Sequence, residues 1–320
     1  MVAEDVLRQG LDRVLTRTDL PLACLSRGKV RDSYRIDANT RLLVTTDRIS
    51  AMDRVLGTLP FKGQVLQNCS RWWFDATRAS VPNHLIDVID PNAMRVHEAK
   101  PFAVEFVVRA YLTGSTSTSI WTHYAQGSRC FCGHELPDGL QQHQALPNGP
   151  IVTPSTKAPQ GQHDRSVGAE QLIAEGVIDA HSYELISTYA LALFRFGQEH
   201  CAKQGLLLVD SKYEFGQLAD GRVVLIDELH TPDSSRFWLS DAYAQAMTKG
   251  HTPPGLDKDY VRRWLQSPEG QNAETQGELP EHVRLEGAKR YIEACERICG
   301  MPFVPDVQEP QTRLMQALET

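Results

Sequence analysis

The stretch Leu206 to Leu229 reads LLLVDSKYEFGQLADGRVVLIDEL, two apolar-rich runs either side of Ala219-Asp220-Gly221. Asp-Gly between such runs is a strong signal for a two-residue turn, so an antiparallel hairpin is expected here. Counting outward from Asp220 and Gly221 sets Leu218 against Val223, Phe215 against Ile226 and Glu214 against Asp227. Side chains alternate along a strand, so Asp210, Lys212 and Glu214 share one face. Two opposed carboxylates repel and lose solvation beside an apolar sheet, so a cation belongs between them. Mg²⁺, held by one or two carboxylates and a nucleotide's phosphates, meets that need. The competing reading is a solvated sheet face on which Lys212 neutralises its neighbours.

A chain of 320 residues with 41% hydrophobic content can bury a sizeable core in one large or two ordinary domains. Its formal charge of -7 weighs against a nucleic-acid partner, which needs a basic face. The start, MVAEDVLRQGLDRVL, lacks an apolar stretch of signal-peptide length, and nowhere is there a run of the ~20 apolar residues that a membrane span needs. A soluble, cytoplasmic protein without a membrane partner is expected. The seven cysteines form an odd set without paired spacing, which favours reduced thiols. Cys130, Cys132 and His134 could offer three zinc ligands, but their spacing is unlike the usual zinc loops, and a short strand or hairpin is preferred there.

Helical spacing covers residues 4–17, 63–79, 181–203 and much of 256–300, whereas 29–36, 41–46 and 102–108 read as strands. Residues 127–169, rich in Gly, Pro, Gln and His, read as a long ordered loop or insertion. Without regular βαβ alternation, the expected class is α+β with mainly antiparallel sheets. The expected divisions are an N-terminal lobe (1–104), a central lobe with the metal and substrate site (105–255) and a C-terminal helical segment (256–320).

Several further segments suit anions. Ser26-Arg27-Gly28-Lys29-Val30-Arg31-Asp32 joins a glycine, which allows close backbone approach, to three nearby cations; a phosphate-covering loop and a plain charged turn both fit it. Arg109 ends a buried strand, Ser115 follows it, and Arg236 follows the carboxylate hairpin, with arginine suited to bidentate phosphate or carboxylate recognition. Ser50 and Asp53 follow an apolar strand, and Lys62 opens a helix whose N-terminus could receive an anion. Ser155, Thr156 and Lys157 offer hydroxyls and an ammonium, or a solvated proline turn.

Together GKVRDSY (28–34), TTDRISAMD (45–53), FKGQVL (61–66), VVRAYLTGS (107–115), PIVTPSTKA (150–158), DSKYEFG (210–216) and IDELHTPDSSRFW (226–238) resemble, in order, the phosphoribosylaminoimidazole-succinocarboxamide synthase (SAICAR synthetase) family. The resemblance implies a two-lobed α+β fold similar to ATP-grasp enzymes and kinases. It implies an ATP- and Mg²⁺-dependent ligase that joins carboxyaminoimidazole ribonucleotide to L-aspartate, through an acyl phosphate. Gly28, Lys29, Val30 and Arg31 would then cover the ATP phosphates, and Glu214 and Asp227 would hold Mg²⁺. Arg109, Ser115 and Arg236 would bind the ribonucleotide, with Ser50, Asp53, Lys62, Ser155, Thr156 and Lys157 lining the substrate cleft. Lys29 and Lys212 would offset charge on the transferring phosphoryl group, and Asp210 would orient the substrate's amino group or take a proton. The adenine hinge is expected near 95–102, with Lys100 the candidate there. The 127–169 stretch resembles the insertion of longer, yeast-like members. The same phosphate loop and paired carboxylates would also serve a small-alcohol kinase or a nucleotide-binding regulatory module.

Overall fold

The fold is described from a computed structural model that covers residues 2–51, 54–157, 165–256, 259–273 and 279–319. Helix α1 (Glu4–Leu11) leads into β1 (Ala23–Arg27), β2 (Arg31–Arg35) and β3 (Thr40–Thr45), followed by the ribbon of β4 (Arg48–Ala51) and β5 (Arg54–Thr58). Then come α2 (Lys62–Thr77), β6 (Leu85–Asp90) and β7 (Ala93–His97). Strands β1-β2-β3-β7-β6 make one antiparallel sheet.

Next are β8 (Lys100–Arg109), α3 (Ile120–Ala125), the short pair β9 (Cys130–Phe131) and β10 (His134–Glu135), β11 (Ile151–Thr156), α4 (Ala169–Ala174) and α5 (Ala180–Lys203). Strands β12 (Leu206–Gln217), β13 (Val223–Ile226) and β14 (Ser235–Leu239) complete the second sheet, in the order β11-β8-β12 with β13 and β14 along the far edge of β12. Helices α6 (Ser240–Lys249), α7 (Asp259–Gln266), α8 (Pro268–Ala273), α9 (Glu281–Cys299) and α10 (Pro310–Leu318) end the chain. The α+β class, the antiparallel sheets and the helical C-terminal portion are as the sequence implied. Helix α9 packs on α2 and α10 on β6, so the C-terminal helices lie against the N-terminal elements.

Alternation explains the second sheet. Val104, Phe106 and Val108 of β8 and Tyr213 and Phe215 of β12 point to one side, where Ile186, Ala190 and Phe194 of α5 join the same buried cluster. The Phe106 ring meets Phe215 edge-on at 6.0 Å. The opposite face is thereby left to the polar residues of the same strands. Backbone pairing joins the two sheets: His84 N donates to Leu225 O, Leu225 N to Pro82 O and His97 N to His84 O.

Three expectations need correction. Helix α1 stops at Leu11 rather than 17, because Leu15 pairs with Asp47 through its N–H, which donates to the Asp47 carboxylate, and its carbonyl. Among its described residues the 127–169 stretch contains three strands, and β11 is an edge strand, where Pro154 is tolerated because its missing N–H faces away from β8. The Asp220-Gly221 turn holds three residues, not two. Leu218 N donates to Arg222 O, and Gly221, with φ 88°, takes the left-handed position of the loop. The register therefore shifts by one, and Glu214 lies opposite Ile226, not Asp227.

Two outcomes test this packing. A Cβ at Gly63 would lie 2.4 Å from Thr45 O and 2.4 Å from the Asn92 amide nitrogen, inside a buried turn, so Gly63→Ala should lower unfolding stability by about 1–3 kcal/mol in denaturant titration. Burial pushes the His84 and His230 imidazoles down to about 3, so each is neutral in the fold and charges on unfolding. Their contribution is present above pH ~6.5 and is lost as pH falls toward 3, at ~1.36 kcal/mol per unit for each. Burial moves Asp47 the other way, up to about 6, so the comparison must be made within one residue's change. His84→Gln should reduce the stability lost between pH 7 and pH 5 by about 2 kcal/mol relative to the parent chain.

Candidate active site

On the polar face of the second sheet, Asp210, Lys212 and Glu214 of β12 stand in register with Arg109, Val107 and Glu105 of β8, and these with Ile151, Thr153 and Ser155 of β11. At a rise of ~3.3 Å per residue, Asp210 and Glu214 are about 13 Å apart along the strand, so the face has two distinct ends.

Carboxylates dominate one end. The Lys212 ammonium hydrogen-bonds Glu214 and lies 3.4 Å from Glu105 Oε1 and 3.5 Å from Asp227 Oδ2. Lys157, just beyond β11, hydrogen-bonds the other Glu214 oxygen. Asp227 reaches this group despite the shifted register because β13 ends at Ile226 and Asp227 adopts φ 69°, which turns its side chain back toward Lys212. Its Oδ1 accepts at 2.5 Å from Arg31, whose other nitrogen donates at 2.8 Å to Glu228. The first sheet is thus tied to the segment between β13 and β14. Burial opposes ionisation of Glu214, but Lys212 and Lys157 outweigh it and bring the carboxyl down to about 2. Asp227 moves up, through burial with Glu214 and Glu228 nearby, against the pull of Arg31 and Lys212. Lys212 resists its own burial and stays charged because Glu214, Asp227 and Glu105 surround it. It is therefore an electrostatic group here and not a base.

Arginines dominate the other end. Asp210 pairs across β12 with Arg109 on one side and Arg236 on the other. Its Oδ2 is 3.8 Å from Arg109 and 3.4 Å from Arg236, and makes no hydrogen bond of standard geometry. Arg109 Nε donates to Thr153 Oγ1 at 2.9 Å, and Arg236 donates to Thr113 Oγ1 at 3.3 Å. The loop after Thr113 carries Ser115, which is exposed, and Thr118, whose carbonyl accepts from Arg109 at 3.5 Å. Burial lowers the Arg109 pKa, in keeping with a guanidinium held away from water.

Gly28, Lys29 and Val30 form the tight turn between β1 and β2, closed by Gly28 N donating to Arg31 O at 2.7 Å. Arg48 braces that turn, donating to the carbonyls of Gly28, Lys29 and Thr16 and to Asp32. Between the two sheets, Leu43, Val96, Ala99 and Ile226 line a cleft of about 210 Å³ that ends at Glu214 and Asp227. The stretch expected to carry the adenine hinge supplies its wall. Lys100 is exposed at the start of β8 and is not part of that lining.

Ser155 lies on the site face, opposite Glu105, while Thr156 pairs with Val104 on the other face and accepts from Arg165 N. Lys62 is buried at the start of α2, with its ammonium 2.7 Å from Asp233. Ser50 is on β4, and Asp53 lies outside the described residues. Arg48, Glu105, Glu228 and Asp233 complete these networks although sequence reading gave them no role. Glu105 had a visible signal, a charge four residues before Arg109 in a buried strand and so on its face; the other three act through contacts distant in sequence.

Residues 24–279 match the sequence pattern of SAICAR synthetase. The chain is 46% identical over 293 residues to phosphoribosylaminoimidazole-succinocarboxamide synthase of Legionella pneumophila (strain Lens), covering 91% of this chain and 93% of the relative. It is 42% identical to the chloroplastic synthase of Arabidopsis thaliana, over 95% of this chain and 75% of the relative. The solved SAICAR-synthase of Saccharomyces cerevisiae, in complex with SAICAR, superposes with a TM-score of 0.78 at 29% identity, covering 91% of this chain and all of that one.

The Lys212 cluster generates one expectation before any ligand is considered. Removing the ammonium leaves Glu105, Glu214 and Asp227 unbalanced in a half-buried face. Lys212→Met should destabilise the ligand-free protein by roughly 3 kcal/mol, and Glu214→Gln in the same chain should restore part of it in a double-mutant cycle by chemical denaturation.

Proposed function

The chain belongs to the SAICAR synthetase family, ATP-dependent ligases that condense carboxyaminoimidazole ribonucleotide with L-aspartate in purine biosynthesis, and we propose that it performs this ligation along the Asp210–Glu214 face through an acyl phosphate. The observation that carries the placement is the separation of an arginine end from a carboxylate end on one rigid sheet face. A phosphorylated ribonucleotide fits the first, with Arg109 and Arg236 on its phosphate and Asp210 orienting them and the substrate's amino group. The nucleotide fits the second, its base in the cleft between the sheets and its phosphates under the Gly28–Arg31 turn.

The donor set at the carboxylate end suits Mg²⁺, because hard oxygens of Glu105, Glu214 and Asp227 already converge on one cationic atom. Glu214 and Asp227 would hold the ion, with Glu105 beside them. When bound, it supplies charge neutralisation at the phosphate oxygens.

In the first step a carboxylate oxygen of the ribonucleotide bonds to the γ-phosphorus while the bridging P–O bond breaks and ADP leaves. The aspartate amine then bonds to the acyl carbon, the C–O bond to phosphate breaks, and the amine's proton is lost. Lys212 and Lys29 offset charge on the transferring group, which is mainly a matter of positioning and electrostatics. Ser155 and Lys157 would meet the second substrate, with Ser50 and Lys62 as further contacts in its cleft.

ADP release from MgATP should require both the ribonucleotide and L-aspartate and should equal succinyl-carboxamide formed; ADP formed without aspartate, with phosphate passed to a hydroxyl, would overturn the assignment. Glu214→Gln should lower kcat by about 10²–10³-fold, whereas Arg109→Met should act mainly on KM for the ribonucleotide.

A further inference from the structure

Three cysteines meet where α2 and α9 pack together, at the interface that also carries Lys62 and Tyr291. Cys69 comes from α2, and Cys295 and Cys299, one turn apart, come from α9. They are 0%, 1% and 4% exposed. Their sulfurs all lie within 4.8 Å of one another, and Cys299 Sγ is 4.0 Å from Cys69 Sγ. Core packing alone does not require three sulfurs to converge on a point. Three thiolates around one ion, at metal–sulfur distances of ~2.3 Å, stand about 4 Å apart, so the cluster is already near that geometry.

A side chain behind the sulfurs strengthens the case. The Asn68 side-chain amide donates to Cys295 Sγ at 3.5 Å. Asn68 also lines a solvent-open groove of about 610 Å³, together with Gln64, Gln67 and Arg71. It is thus an outer-sphere partner for a sulfur ligand and stands between the sulfurs' neighbourhood and a solvent-open groove.

We propose that Cys69, Cys295 and Cys299 form a binding site for one thiophilic d¹⁰ metal ion in three-thiolate coordination. Thiolates select soft ions, and closed structural zinc sites use four protein ligands, whereas three such groups converge here among the described residues. Cu(I) is therefore the natural occupant, with Cd(II) a spectroscopic stand-in. Sulfur–metal bonds form as thiol protons leave to solvent, and no electrons change hands. The ion would staple α2 to α9. Tyr291, one turn before Cys295, donates to Asp233 at 2.5 Å, and Asp233 holds Lys62, so the staple bears on the same helix pair that positions this triad.

The test is anaerobic titration of the reduced full chain with chelator-buffered Cu(I) and, separately, Cd(II), following the ultraviolet thiolate-to-metal band and the metal retained after desalting. One equivalent of either ion, a raised thermal midpoint, and loss of the band in Cys295→Ser and Cys299→Ser but not in Cys24→Ser or Cys132→Ser are expected. Binding below one equivalent for both ions, or a band that survives in Cys295→Ser, overturns the site. X-ray absorption on the loaded parent chain guards against variants that fail to fold: three sulfur neighbours support the assignment, and two or fewer refute it.

Discussion

The Lys212 ammonium is the charge around which the polar face of the second sheet is assembled. Glu105, Glu214 and Asp227 come from two strands and a turn, and none has a better reason to approach the others than the cation between them. Buried like charges cost several kcal/mol unless paired, so that cation offsets a repulsion that the strand pairing would otherwise have to bear. The opposed shifts of Glu214 and Asp227 follow from the same arrangement. Glu214 has two ammoniums on it, whereas Asp227 faces Arg31 and Lys212 but also has the Glu214 and Glu228 carboxylates nearby.

The second constraint is the interruption of the β12 edge. Strand β13 stops at Ile226 and β14 begins at Ser235, and the residues between them leave the sheet through left-handed conformations at Asp227 and His230. That excursion reaches four parts of the molecule: Arg31 on β2 through Asp227 and Glu228, Lys62 on α2 and Tyr291 on α9 through Asp233, and Tyr213 on β12 through His230. The His230 ring also lies edge-on to Trp73, at 4.6 Å. An uninterrupted hairpin would have kept its hydrogen bonds but carried none of these links between the sheets and helices.

The hairpin shows how far sequence reaches. Alternation alone put Asp210, Lys212 and Glu214 on one face, because period two survives any change of turn. The opposing residue did depend on the turn, and a left-handed Gly221 in a three-residue loop moved the register by one. Asp227 still arrived because its own positive φ redirected it, a conformation that is uncommon outside glycine even though aspartate tolerates it better than most residues. Arg109 and Arg236 were legible from residue type at strand ends. The bracing of the Gly28–Arg31 turn by Arg48 was not, since it rests on backbone carbonyls brought near by tertiary packing. Strand β11 was read as loop because Thr-Pro-Ser-Thr suits an edge and little else in a sheet.

The remaining charges explain why ligands would enter in one orientation. At the hairpin end, Glu105, Glu214, Asp227 and Glu228 face Lys157, Lys212 and Arg31, which leaves these groups one negative charge in excess. At the other end Arg109 and Arg236 face Asp210 alone, an excess of one positive charge. A cation-bearing nucleotide placed over the arginines would leave the carboxylates uncompensated, and a phosphate placed over the carboxylates would add to their repulsion. Each mistake would cost energy at both ends, so the sheet face would discriminate between the two ligands proposed for it by charge before any shape complementarity is engaged.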